Sequence, residues 1–295
     1  MNKTRPADIA FNIANYTVFG LIMFFCLYPF YYIFIYSISD SVQAIKGITF
    51  FPRGLTPANY IGVFRQEGIP RAAMISVVRT VSGTVLTVFC CSFFGYLMTK
   101  QKMYLRKVIY RFMIITMYIS AGLIPWYLTM RAYGFNNNFL VYILPGALNA
   151  YYVILIKTFI EQLPASLEEA AIVDGAGTLT IYSHVIFPLS MPIIATICVF
   201  TAVGQWNSWF DNLIFMVGRP DYNTLQIILY NMLRKAATIS SNVEDMATAE
   251  QMAKRITPDS IRMTITMIVT FPILFVYPFA QKYFVKGIMI GAIKG

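Results

Sequence analysis

Six apolar runs, each long enough to cross the hydrocarbon core of a bilayer, constrain this chain more than any other feature. They cover residues 11–39, 74–99, 112–130, 139–159, 185–210 and 263–284. A helix crosses a bilayer with about 20 mostly apolar residues. The chain is 58% hydrophobic and 12% charged, against roughly 25% charged in an average soluble domain, so a water-soluble fold of this size has nowhere to hide the apolar surface. The expectation is an all-α integral membrane protein with six transmembrane helices. The apolar stretch 227–233 is too short to add a seventh, since seven helical residues rise only about 10 Å. An even number of spans places both termini on one side.

The formal net charge is +10, which in a soluble protein would suggest nucleic acid. Here the cations lie mostly between the apolar runs, so they read as topology determinants and not as a phosphate-binding surface. No nucleic-acid partner is expected; membrane lipid is. The Lys and Arg tally on the two sides is level, but Lys100, Lys102, Arg106, Lys107 and Arg111 crowd one short connection that carries no acid. Short basic connections stay in the cytoplasm. The expected topology is multi-pass in a bacterial cytoplasmic membrane with both termini cytoplasmic. The divisions are a tail and first span (1–40), an outer loop (41–73), a five-span core (74–284) holding a cytoplasmic loop at 160–184, and a tail at 285–295. On the outer side, 211–262 forms a second long segment, whose polar stretch 240–259 reads as a surface helix or a mobile loop, and 133–138 forms a short turn. The first run extends through Pro29 without a small-residue cleavage site, so it is expected to remain as a span. Cys26, Cys90, Cys91 and Cys198 lie in apolar runs without metal-ligand spacing and read as packing residues; no metal site is expected.

The connection at 160–184 reads EQLPASLEEAAIVDGAGTLTIYSH after Ile160. Ser166 followed by Glu169 has the spacing of a capping box, which would start a helix near Leu167. Leu167, Ala170 and Ala171 share a face at i, i+3, i+4 spacing, and Gly175 supplies the left-handed residue that commonly ends a helix. A second helix is expected from about Thr178 into the fifth span, bent at its start by Pro188 and Pro192. A short helix-turn-helix with small side chains at the membrane surface suits rigid docking.

These residues also resemble a family. Glu169-Ala170-Ala171, Asp174-Gly175-Ala176, Val185-Ile186-Phe187-Pro188-Leu189 and Pro192 look like the EAA loop of ABC-importer permeases, with Phe187 where the pattern usually has Leu. Arg79-Thr80, Gly204-Gln205-Trp206-Asn207 and Lys286-Gly287-Ile288-Met289 extend the resemblance over nearly the whole chain, toward the oligosaccharide-type, MalG-like and LplC-like binding-protein-dependent inner membrane components. The resemblance implies a type I ABC importer permease architecture. It further implies that Leu167, Glu168, Glu169, Ala170, Ala171, Asp174, Gly175 and Ala176 seat in a cytoplasmic ATPase and couple to its closure. The partners it implies are a second homologous permease subunit, two ATPase subunits and an extracytoplasmic solute-binding protein. No phosphate-binding G-x-x-x-x-G-K-[ST] loop occurs in the chain, so ATP and Mg belong to a partner, and the chain needs no cofactor.

For the translocation path, Arg79 is a charge inside a span, where it either faces a protein interior or snorkels to the headgroups. Gln205, Trp206, Asn207, Trp209 and Asp211 mix aromatic rings with amides and a carboxylate at the end of the fifth span, a combination suited to sugars and also to an interfacial aromatic belt. His184 reads as a surface or packing group, and Pro272 and Pro278 as kinks in the sixth span. No nucleophile, acid–base pair or metal cluster marks an enzyme. The sequence therefore points to the membrane subunit of an ATP-driven oligosaccharide importer. A permease for another solute, peptide or amino acid, is the alternative, and a channel of another class a more distant one.

Overall fold

The computed structural model describes residues 6–47, 50–239 and 257–292, which fall into two compact units. Among the described residues the regular structure is helical, apart from an isolated antiparallel bridge between Ser39 and Leu55.

The first unit comprises residues 1–69 and 231–270. It opens with α1 (Pro6–Ser37), a 32-residue helix that is long and apolar enough to span a membrane and leaves nearly all of its surface free within the chain. Only its C-terminal end is packed, where Ile35 and Tyr36 meet Ala44, Tyr32 and Met263. The segment that follows, expected as an outer loop at 41–73, carries two short helices. Asp40 caps α2 (Ser41–Ala44) by accepting from the N–H groups of Val42 and Gln43. Buried Asn59, in α3 (Ala58–Arg65), donates to the carbonyls of Ser37 (2.9 Å) and Ser39 (2.8 Å) and accepts from the Ser41 hydroxyl. One amide thus fastens the chain as it leaves the span.

The second unit comprises residues 70–230 and 271–295. Its backbone is α4 (Ile69–Thr99), 31 residues without a break and the second helix apolar and long enough to span. The expected third span is two helices, α5 (Arg106–Tyr118) and α6 (Leu123–Ala132), separated at Gly122, whose φ of +83° only glycine adopts without strain. The expected fourth span is likewise not one helix. A 3₁₀ turn (Phe139–Tyr142) is followed by an irregular stretch through Pro145 and Gly146, and α7 (Ala150–Ile160) begins only after Asn149, whose side chain caps it by accepting from the Tyr152 N–H. Proline cannot donate to the preceding turn, so a helix through 145 would lose a bond inside an apolar environment.

After α8 (Ala165–Val173) come α9 (Thr178–Ile181), a π turn (Tyr182–Ile186) and α10 (Phe187–Leu189), which together form one rod, Thr178–Leu189. At Ser190 the chain turns by 83° into α11 (Met191–Asn207). The bend lies between Pro188 and Pro192, the two residues expected to produce it, and it moves the start of the span from 185 to Met191. A second break at Ser208 separates α12 (Phe210–Phe215) from α11. Beyond a 3₁₀ turn (Pro220–Tyr222) lies α13 (Leu225–Ile239), and α14 (Pro258–Ala292) contains the whole expected sixth span. The tail expected at 285–295 is helical to Ala292. Residues 240–256, which hold most of the expected polar stretch, lie outside the described residues.

Two apolar clusters join α4 to its neighbours. Around Tyr96 and Met98, near its C-terminal end, gather Met113 of α5, Val153, Ile156 and Ile160 of α7, Tyr182 and Ile186 of the π turn, and Ile197 of α11. Gly95 permits this packing, because a Cβ there would lie 3.2 Å from Ile156 and 3.3 Å from the Val153 carbonyl. The second cluster centres on Phe215, with Val141, Tyr142 and Met216, and packs against Ile75, Trp126 and Tyr127. The cysteines are all free: Cys91 is buried beside Asn149, whereas Cys26 and Cys198 are exposed on the surface of the single chain.

Candidate functional site

Two sites lie in the second unit. The first is the loop around α8. Pro164, with extended backbone (ψ 126°), precedes the helix and forms no side-chain cap, and its carbonyl accepts from the Leu167 N–H at 3.2 Å. The helix therefore starts at Ala165. Ser166 is already inside the first turn, so the capping box expected between Ser166 and Glu169 does not form. The C-terminal end follows the sequence reading closely. Gly175 has φ +82°, its N–H donates to the Ile172 carbonyl (3.0 Å), and the Ala176 N–H donates to the Ala171 carbonyl (2.9 Å). This paired-bond closure satisfies the last carbonyls and fixes the direction in which the chain leaves.

Leu163, Ala171 and Ala176 root this loop on the Tyr96 cluster. Lys100, just beyond the end of α4, pairs with Glu168 and stands 4.0 Å from the centre of the Tyr96 ring. Glu169, Ala170, Asp174 and Gly175 are exposed, as is Leu167. The most exposed apolar side chains of α8 are ones off the Leu167-Ala170-Ala171 face, Val173 at 86% and Ile172 at 56%. The signal was an apolar pair in an otherwise solvated connection, off the i, i+3, i+4 stripe. The rod after α8 is held to α4 as well: the Tyr182 hydroxyl is 2.6 Å from Ser92 Oγ, and its ring meets Phe93, Tyr96 and Phe187. His184 is exposed and bonds only locally, to Ser183 and Thr180.

The second site is built on Arg79, near the middle of the first half of α4 and only 2% exposed, so its charge faces protein and does not snorkel. Arg79 Nε donates to Gln205 Oε1 (3.1 Å), Nη1 to the Ser208 carbonyl (3.1 Å) and to Asp211 Oδ1 (3.1 Å), and Nη2 pairs with Asp211 Oδ2. One face of the guanidinium lies over the Tyr142 ring at 4.4 Å. Asp211 also accepts from the Ser208 hydroxyl and the Asn212 N–H. The break at Ser208 makes this possible by freeing a main-chain carbonyl and starting α12 with Asp211 in its first turn. Gly83, one helical turn above Arg79, leaves the space in which Gln205 lies; a Cβ there would come within 2.7 Å of the Gln205 side chain.

This cluster forms one wall of a cavity of about 430 Å³. Trp126, Tyr142, Tyr152, Phe200 and Phe210 supply aromatic lining, and Thr87, Asn149, Gln205 and Ser208 supply hydrogen-bonding groups. Of the residues singled out in the sequence, Arg79, Gln205 and Asp211 converge. Trp206, Asn207 and Trp209 do not join them: Trp206 faces Pro272 and Ile273, Asn207 accepts from Gln226, and Trp209 stacks on Tyr230 at 4.2 Å. Successive residues of a helix end point around the axis, so a contiguous string in sequence does not make a contiguous surface. Tyr142, Asn149 and Trp126 come to the cavity from the broken third and fourth runs, where they read as ordinary span residues.

Residues 92–290 match the family described as "Binding-protein-dependent transport system inner membrane component". The chain is similar to the protein LplC of Bacillus subtilis (strain 168), with 32% identity over 297 residues covering 100% of this chain and 98% of that one. It is 29% identical to the polygalacturonan/rhamnogalacturonan transport system permease protein YtcP of the same organism, over 94% of this chain and 97% of the other. Among solved structures it is similar to a chain of a bacterial ABC transporter involved in the import of the acidic polysaccharide alginate, with a TM-score of 0.86 and 29% identity over 96% of this chain and 100% of that chain.

Proposed function

This chain belongs to the inner membrane components of binding-protein-dependent transport systems, and from that membership we propose that it forms half of the path of an ATP-driven carbohydrate importer. The observation that carries the coupling half of this reading is the exposed α8 loop. It presents Leu167, Ile172 and Val173 to solvent on a helix closed by Gly175 and tied to α4 through Lys100 and Glu168. Apolar groups held out on a rigid element are what a partner's cleft can grip. The ATPase that hydrolyses ATP with Mg is that partner, two copies serving the two permease halves. A second permease subunit supplies the other half of the path, and an extracytoplasmic solute-binding protein delivers the cargo.

The same contact supports the proposed topology. Lys100, in the basic connection, touches Glu168, so the basic connection and α8 share one side, the cytoplasm under the rule that short basic loops stay inside. In our reading both termini are cytoplasmic, 41–73 and the 211–262 segment are outside, and 74–284 is the core. Carbohydrate as cargo rests on the cavity. Its volume is within the range of roughly 300–1,000 Å³ usual for small-molecule sites, and aromatic walls with a few aimed amides and hydroxyls suit sugar rings. When the ATPases close, α8 moves with them, and α4 and the Thr178–Leu189 rod carry the movement to the cavity wall.

Affinity purification of the chain, co-expressed with its genomic neighbours, tests the assembly. Recovery of an ATPase and a second permease in mild detergent is expected. Val173→Asp should abolish ATPase recovery while the chain still inserts and keeps the second permease. Purification of the chain alone, or an ATPase indifferent to Val173→Asp, would remove the coupling assignment.

A further inference from the structure

We propose that the cavity takes an uncharged, hydroxyl-rich saccharide unit, and that Asp211 is the residue that excludes uronic acids by keeping the Arg79 guanidinium occupied. This rests on the carbohydrate reading above and adds to it the charge class of the cargo.

A carboxylate-bearing sugar is recognised most strongly by a guanidinium that offers two parallel N–H groups. Arg79 has no such pair to offer. Of the five N–H donors an arginine carries, four are engaged: one with Gln205, one with the Ser208 carbonyl and two with the carboxylate of Asp211. One face of the group is covered by Tyr142. Asp211 is equally committed, because its Oδ1 takes the Ser208 hydroxyl and the Asn212 N–H in addition to Arg79. Arg79 and Asp211 are the charged residues of the lining, and they cancel each other.

A uronate entering this site would have to displace Asp211 from Arg79, leaving an 85% covered carboxylate without its counter-ion, or else remain unpaired itself beside an anion. Removal of one partner from a buried pair is strongly unfavourable. A neutral sugar meets no such penalty. Gln205 and Asn149 line the cavity with amides suited to its hydroxyl groups, and Trp126, Tyr152, Phe200 and Phe210 line it with aromatic surface suited to its C–H groups.

The test uses the complete transporter in proteoliposomes with saturating binding protein. Its probes are matched neutral and uronate trisaccharides of the gluco, galacto and manno series, identical except for CH₂OH or carboxylate on C5. The neutral member of the transported series is expected to enter at least ten times faster than its uronate twin. Asp211→Asn is expected to move that ratio toward the uronate by about tenfold; the binding protein is common to both, so its own preference cancels. Uronate entry as fast as neutral entry in the unaltered transporter overturns the proposal, as does an unmoved ratio in an assembled Asp211→Asn complex. Should that variant fail to assemble, Asp211→Ser takes its place, and an unaltered transporter that does not favour the neutral sugar overturns the proposal in any case. Import of some other solute class and of no sugar would instead bring down the carbohydrate reading beneath it.

Discussion

A single missing Cβ sets the geometry of the polar cluster. Gln205 reaches Arg79 only because residue 83 is glycine, and an alanine there would place its methyl 2.7 Å from the Gln205 amide. Gly83→Ala should therefore expel the amide and cost Arg79 its Nε partner. Overpacking of this kind destabilises by roughly 1–3 kcal/mol, so a lower unfolding temperature in detergent and a several-fold slower uptake are expected. Gly20→Ala is the comparison. It sits in α1 with no atom within 4 Å of the added methyl, and helix propensity alone makes it neutral or slightly stabilising. Equal behaviour of the two variants would show that Gln205 does not depend on Gly83. The charge at 79 was legible in the sequence as one that must either face protein or reach the headgroups. Its partners were only partly so, because Ser208 acts through its carbonyl, and main-chain groups leave no mark in composition.

At the scale of elements, α8 depends on how it ends more than on how it begins. Nothing lies within 4 Å of a Cβ at Gly175, so a substitution there meets no clash, only the cost of φ +82°. Asparagine visits that region readily, while a β-branched residue is strained by it. Gly175→Asn is thus expected to keep coupled ATP hydrolysis near the unaltered level, and Gly175→Val to lower it at least several-fold with membrane insertion intact. Equal activity of the two variants would remove the helix end from the coupling path. The same glycine shows what sequence conveys well: a left-handed residue after an Ala-rich turn announces itself. The start of α8 was misread because Ser166 and Glu169 have capping-box spacing, yet Pro164 had already set the break two residues earlier. The third and fourth runs were misread for a related reason. A hydropathy sum passes over Gly122 and over Pro145-Gly146 without registering them, although these residues interrupt the helix in both places. By contrast α1, α4 and the bend between Pro188 and Pro192 lie close to where hydropathy and proline put them.

For the molecule as a whole, the orientation reading has a direct check. In a chain freed of its four cysteines, Glu67→Cys and Lys102→Cys place thiols on exposed residues at opposite ends of α4. A membrane-impermeant maleimide is expected to label position 67 in intact cells and position 102 only after permeabilisation, and the reverse pattern would turn the topology over. The membrane class was readable from composition alone, and the family from the string around Gly175. The cavity was not, because it is assembled from α4, the broken fourth run and the α11–α12 break, segments spread over more than a hundred residues of sequence. What unites them is α4, the unbroken helix beside interrupted neighbours, with Arg79 toward one end and the Lys100 tie at the other. Thirty-one residues make a rod of about 46 Å; a tilt of about 5° about its midpoint shifts each tip by about 2 Å and Arg79, five residues from the midpoint, by about 0.7 Å. Added to a bond of 3.1 Å, even the smaller shift passes the roughly 3.2 Å limit of an N–H···O bond. A stiff lever of this kind needs no relay of intermediate rearrangements: a slight lean at the Lys100 end suffices to pull Arg79 out of register with Gln205 and Ser208.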